Sequence, residues 1–153
     1  MLNVQWEASQ FQRLTIDRLF DVLELRVNVF VVEQQCAYPE LDAYDRHVDT
    51  RHLLGMDATG QLVSYVRILP AGLRHPEVSF GRFVVKREAR GNGLGRQLME
   101  RTLKEIQCTW PGNAIRISAQ DYLQKFYEQY DFSRVSEVYL EDGIPHVEMV
   151  KGK

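Results

Sequence analysis

The sequence predicts a mixed α/β fold in one domain, and three observations carry that prediction. Apolar residues recur at helical spacing in two long segments and at strand spacing in several short ones, and the two kinds interleave along the chain. The 153 residues suffice for one hydrophobic core and are few for two. With 44% hydrophobic and 26% charged residues, and with no repeat, low-complexity tract or linker, the chain has the composition of a globular protein rather than a disordered one.

The elements follow in order. Residues 3–7 (NVQWE) alternate weakly and read as a first edge strand. Across residues 15–33, Ile16, Leu19, Phe20, Leu23, Val27, Phe30 and Val31 mark one helical face, with Asp17 suiting the positive N-terminal end. The β-branched tail VNVFVVEQQ predicts a bend or a second short helix. Residues 36–49 are irregular and acid-rich, with a break at Pro39; Asp42 and Asp45 are expected in a solvated loop where they could also bind a cationic acceptor. RHLLGMDATGQLVSYVRIL reads as a hairpin turning at Gly60 with positive φ. After a Pro/Gly loop, VSFGRFVV (residues 78–85) is a strand. A glycine turn follows, then a helix on Leu94, Leu98, Met99, Leu103 and Ile106 that ends before Pro111. IRISA is a strand, YLQKFYEQY a short helix, and SRVSEVYL, a turn at EDG and HVEMVK form a closing hairpin.

Several function classes are disfavoured at this level. A net charge of −2 gives no global attraction to nucleic acid or to anionic lipid. The first residues, MLNVQWEASQFQRL, lack a signal-peptide core, and no segment approaches a membrane span, so a cytoplasmic protein is expected. Cys36 and Cys108 stand alone, without metal-ligand spacing, and read as free thiols in a reducing compartment; no metal site is expected.

The chemistry concentrates in Arg90-Gly91-Asn92-Gly93-Leu94-Gly95-Arg96, between a strand and a helix. A helix N-terminus leaves its first amides unpaired and carries partial positive charge. Glycines let those amides converge on an anion, and the flanking arginines add forked donors, so the turn suits a pyrophosphate. A P-loop would need Lys-Ser/Thr after Gly95, where Arg96-Gln97 stands. A dinucleotide fingerprint fails at Arg96, where the sixth-position glycine belongs. The pattern Gln/Arg-x-x-Gly-x-Gly/Ala fits at Arg90, Gly93 and Gly95.

That pattern resembles the acyl-CoA pyrophosphate loop of the GCN5-related N-acetyltransferases, the GNAT superfamily. Gln120, Leu123, Phe126-Tyr127 and Phe132 are similar to a second motif of the family, Asn-x-x-Ala-x-x-Leu/Phe-Tyr-x-x-x-Gly-Phe. It departs at Gln120 for Asn, Leu123 for Ala and Asp131 for Gly, the last a residue that tolerates a left-handed turn. The segments LRVNVFVVEQQCAYPELDAYD, RHLLG and EDGIPHVEM further resemble an ElaA-type bacterial subgroup.

The resemblance implies a mostly antiparallel central sheet with a splayed parallel strand pair, flanked by helices. It implies acetyl-CoA as cosubstrate and direct acetyl transfer to a primary amine on a small-molecule or peptide acceptor. By resemblance, Phe83, Val84 and Val85 would pair with the pantetheine arm, residues 90–96 would cradle the diphosphate, and Gln120 would reach the arm. Tyr127 would return a proton to the departing thiolate. Glu33, His52 and His146 are candidates for the base that deprotonates the amine, and Phe30, Val31, Val32, Tyr38 and Tyr65 for an acceptor pocket or for core. Two other readings use the same loop: a non-catalytic acyl-CoA-binding or sensing module, and a nucleotide-binding regulator. The exposed closing hairpin suits a homodimer.

Overall fold

The apolar run at residues 62–69 becomes the centre of the molecule. In the computed structural model, which describes residues 3–153, it forms strand β3 (Leu62–Leu69), buried at every position. A strand covered on both faces shows no polar alternation. Leu54 of β2 (Arg51–Met56) and Tyr65 pack toward α1 (Ile16–Arg26) with Val22 and Leu25. Leu53, Val66 and Ile68 pack toward α2 (Leu94–Thr109) with Leu98 and Met99. The first sheet is antiparallel in the order β1 (Gln5–Ser9), β2, β3, β4 (Ser79–Val85).

A second sheet is built on β8 (Ile144–Lys151). It pairs with β5 (Ile115–Gln120), β6 (Ser133–Arg134) and β7 (Tyr139–Glu141), all antiparallel. Between β4 and β5 the described residues make one parallel bridge, Val78 to Ile115, where the Arg116 amide donates to the Val78 carbonyl at 2.8 Å. Beyond it the strands separate, giving the splayed parallel pair the family resemblance implies. Helix α3 (Gln124–Glu128) follows β5 after one 3-10 turn (Asp121–Leu123) and stands beside the opening.

The structure moves several predicted boundaries. The first strand runs two residues later than expected. The helix of residues 15–33 is capped by Thr15, whose hydroxyl accepts from the Arg18 amide at 3.1 Å, but regular α geometry stops at Arg26. Val27–Glu33 widens into a π-helical turn, consistent with its β-branched run crowding a regular helix. The expected helix YLQKFYEQY shrinks to a 3-10 turn and five α-helical residues. SRVSEVYL is two short strands, not one, because Ser136 leaves the ladder to accept the Glu148 amide on its hydroxyl at 2.8 Å. Gly60 has the expected positive φ of 83°, and Asp131 adopts the left-handed conformation with φ of 68°. No helix among the described residues is long and apolar enough to cross a membrane.

Gly55 is required by close approach. It lies opposite Trp6 on one side and Ser64 on the other, and a Cβ there would collide with Ser64 Oγ and sit 2.8 Å from Trp6 Cζ3. Gly55→Ala is therefore expected to cost about 1–3 kcal/mol, the usual penalty for overpacking, and to lower Tm. An unchanged Tm in thermal denaturation would show that Ser64 and Trp6 both give way freely.

Candidate active site

The glycine turn delivers unpaired amides to one end of the β4–β5 opening. Gly91 and Gly93 have φ of 86° and 74°, and Gly93 is the N-cap of α2 without a side-chain cap. The first-turn amides of Leu94, Gly95 and Arg96 thus have no intrahelical acceptor. A Cβ at Gly91, Gly93 or Gly95 would meet nothing within 4 Å. Gly95 lies inside the helix, where alanine is the better helix former. No neighbour in the protein demands a glycine there, which fits a position left bare for an approaching anion.

Arg90 is engaged within the protein: its Nε donates to the Val85 carbonyl at 3.0 Å and its Nη2 pairs with Glu33 at 2.9 Å. Asn92 turns its amide back onto the Ala89 carbonyl at 3.2 Å, and Arg96 is exposed.

Strand β4 carries a bulge. Gly81 opposes Arg67 and Val84 opposes Tyr65, so Arg82 and Phe83 together face Val66. Arg82 sits at φ 54°, a left-handed conformation that costs a non-glycine residue on the order of 1–3 kcal/mol. The extra residue brings Phe80 and Phe83 to the same face, where both rings lie within 6.4 Å of the Tyr127 ring. The Lys86 amide donates to Val63 in β3, so alternation along the strand turns the amides of Phe83 and Val85 toward the open edge.

Two hollows meet in the opening. One, of about 370 Å³, is bounded by Glu33, Phe83, Val84, Val85, Arg90, Gly91, Gly93, Leu94 and Gly95. The other, of about 420 Å³, is bounded by Phe30, Tyr38, Tyr44, Arg74, Arg82, Glu141 and His146. Phe83, Gln120 and Tyr127 line both and mark the junction. Tyr127 is buried, and no group among the described residues hydrogen-bonds its hydroxyl; burial first, and then Tyr122, pushes its phenol above the ordinary range. It stays protonated. Gln120 faces Gln34 across the junction at 3.5 Å. A larger hollow of about 530 Å³, between α1 and the β2–β3 turn, reaches neither Tyr127 nor His146.

His146 stands on the second hollow. Its Nδ1 is 2.7 Å from the Ile144 carbonyl, which can only accept, so Nδ1 carries a proton. Its Nε2 lies 3.5 Å from Glu141, which also pairs with Arg74 at 3.3 Å, and its ring stacks on Tyr139.

Comparison with known proteins bears on the family and the fold. A family model described as the Acetyltransferase (GNAT) domain matches residues 24–153. The chain belongs to the GNAT acetyltransferase family. It is 40% identical over 148 residues to Protein ElaA of Escherichia coli (strain K12), covering 97% of this chain and 96% of that one. An acyl-CoA N-acyltransferase from Pseudomonas aeruginosa superposes with a TM-score of 0.93 at 43% identity, over 98% of this chain and 100% of the other. The crystal structure of E. coli ElaA superposes with a TM-score of 0.90 at 39% identity, over 97% and 99% of the two chains.

Within the GNAT scaffold, the acid-rich loop departs in part from its expected solvated state: Asp42 is exposed on the second hollow, whereas Glu40 and Asp45 are buried. Asp45 is buried, and Arg26 Nη1 and Arg67 Nη1 reach its Oδ1 at 2.7 and 3.0 Å. Glu40, also buried, accepts from Arg26 Nε at 2.6 Å and Arg82 Nε at 2.9 Å, and Tyr38 donates to its other oxygen. Asp42 pairs with Arg67 at 2.6 Å. Burial alone would raise the Asp45 carboxyl, but Arg26 and Arg67 hold it at about 2. Asp45 is thus structural and closed to a cationic acceptor. Sequence reading missed this network, although a signal exists: Arg26 lies on the apolar face of α1, and Arg67 interrupts an apolar strand.

The candidate bases separate. His146 reaches the cleft, Glu33 lies in the loop half bound to Arg90, and His52 lies outside both hollows. His52 is 1% exposed; its Nε2 donates to the Asp45 carbonyl at 2.9 Å and its Nδ1 accepts from Tyr65 at 2.6 Å. Tyr65 is likewise core, pushed up to about 12 chiefly by burial, while Phe30 and Tyr38 do line the second hollow. Val32 is exposed at the π-helical turn and borders the separate larger hollow.

Burial, with Arg26 and Arg67 nearby, holds the His52 imidazolium below its ordinary range. The unfolded chain takes up a proton near pH 6.5 that the folded chain resists, so the His52 contribution is full above that pH and falls below it. Denaturant midpoints are expected to drop between pH 7 and 5. In His52→Gln that limb should flatten to the share of His75, another histidine lowered by burial. An equal slope in both proteins would remove His52 as its source.

Proposed function

We propose that this single GNAT domain, residues 1–153, is an N-acetyltransferase that moves an acetyl group from acetyl-CoA directly to a primary amine. The observation that carries the reading is the junction: Phe83, Gln120 and Tyr127 line both the hollow that ends at the uncapped α2 amides and the hollow that holds His146. The similarity to an acyl-CoA N-acyltransferase supports an acyl-CoA donor. Residues 90–96 suit the diphosphate: amides from Gly91 to Arg96 converge without Cβ atoms at the glycines, and Arg90, braced by Glu33, adds charge at the rim.

The Phe83 and Val85 amides at the free edge of β4 offer donors to the pantetheine arm and to the thioester carbonyl, and the side chain of Gln120 lies beside them. An amide aimed at the oxygen that gains charge lowers the barrier. The incoming amine, deprotonated, forms the C–N bond as the C–S bond breaks. His146 Nε2, with Nδ1–H fixed on Ile144, is the group in the cleft suited to take the amine's proton. Tyr127 supplies a proton to the leaving thiolate, whose conjugate acid titrates near ~8.5. Burial keeps that phenol in its donating form. Glu33 braces Arg90 in this reading, and His52 takes no part in proton transfer. The free thiols Cys36 and Cys108 accord with action in a reducing cytoplasm.

A screen of small-molecule and peptide amines with acetyl-CoA, following free thiol, is expected to show amine-dependent release. Thiol release with none of them, alongside tight CoA binding, would favour a non-catalytic acyl-CoA-binding module instead. Tyr127→Phe should lower kcat about 100-fold while CoA affinity changes less than about two-fold; an unchanged rate would remove Tyr127 as the acid. Gly95→Ala should act with opposite signs, stabilising α2 by about 0.5–1 kcal/mol and weakening CoA binding about ten-fold or more. Calorimetry showing undiminished CoA binding by that variant would place the diphosphate elsewhere.

A further inference from the structure

We infer that Arg82 is a positioning residue: its guanidinium, locked onto Glu40, holds the β4 bulge that aims the Phe83 amide into the cleft and the Phe83 ring onto Tyr127. Four observations converge. Arg82 takes a left-handed φ of 54° although it is not glycine, while its neighbour Gly81 does not use that conformation. The strain therefore sits on the residue that carries a long side chain. That side chain is held at two points, Nε to Glu40 Oε2 and Nη2 to the Glu40 carbonyl, each at 2.9 Å. It also lies over the Tyr38 ring at 5.7 Å.

Glu40 is itself immobilised by Arg26, so the tether runs from the bulge into α1. The register supplies the consequence. One extra residue in β4 between Gly81 and Val84 reverses which side chains share a face and which amides point outward. Without it, Phe83 would leave the face of Phe80 and Tyr127, and its amide would turn toward β3. A backbone conformation disfavoured on its own persists only where its surroundings fix it, and the Arg82–Glu40 clamp is the fixing contact closest to it.

The clamp concerns the backbone itself, while its consequence for the donor rests on the acyl-transfer reading; the test separates the two. Crystal structures of Arg82→Ala and Arg82→Lys are compared with that of the unaltered protein. Binding of CoA is measured beside that of an acetyl-CoA analogue with a methylene replacing sulfur, which keeps the carbonyl. In Arg82→Ala residue 82 is expected to leave the left-handed region and Phe83 to lose Tyr127. The analogue's affinity relative to CoA should fall about three- to ten-fold, the worth of one hydrogen bond.

Arg82→Lys keeps the charge but cannot bridge both Glu40 atoms, and it should show a smaller loss of the same ratio, covering the case in which the alanine variant does not fold. General destabilisation would weaken both ligands together and leave the ratio unmoved. An unmoved ratio in either variant, or an alanine structure with the bulge intact, overturns the inference. If the unaltered protein binds neither ligand, the acyl-CoA reading falls, and the backbone at residue 82 in the variant crystals decides the clamp.

Discussion

A lattice of alternating charge, buried at Arg26, Glu40, Asp45 and Arg67 and open at Asp42, sets the shape of the cleft. Arg26, Arg67 and Arg82 alternate with Glu40, Asp42 and Asp45, and five of these six residues come from two places: the acid-rich loop, and the strands β3 and β4 that it covers. Arg26 joins them to α1. Such a network is poor evidence of net stability, since desolvation offsets most of the attraction. Its effect is geometric. Each carboxylate meets more than one guanidinium, so a shifted loop would leave buried charge unpaired, and the wall of the second hollow has one favourable position.

The second constraint is the separation of β4 from β5 after a single bridge. A continuous sheet would close the space between Phe83 and Gln120, whereas the divergence exposes a strand edge inside the protein. An unpaired edge is usually a liability. Here the π-helical turn and α3 shelter it, and the edge becomes a row of directed donors. The network and the opening act on the same strand: the charged lattice ends at Arg82, and the free amides begin at Phe83.

Much of the fold was legible along the chain because its signals are local. The hairpin turn at Gly60, the apolar face of α1 and the stripe of α2 each depend on residues a few positions apart. The loop at residues 90–95 was legible for the same reason, since glycines followed by a helix start fix where the amides point. The errors have a common physical origin. The division at Ser136 and the burial of Asp45 depend on Glu148, Arg26 and Arg67, which stand well outside the local segment, so the local pattern does not fix them. His52 shows this best: at a strand end it reads as a possible base, yet Asp45 and Tyr65 occupy both its nitrogens.

The sequence by itself determined the order of helices and strands and the anion-suited turn, because these follow from periodicity, glycine freedom and helix electrostatics within short stretches, while the role expected of Tyr127 came from the family resemblance of its motif. Tertiary structure alone decided that Tyr127 meets Phe83 across the opening, that His146 and not His52 faces it, and that acidic loop residues serve as anchors. Those outcomes require distant segments to share one small volume, where desolvation forces every buried charge and ring nitrogen to find its partner.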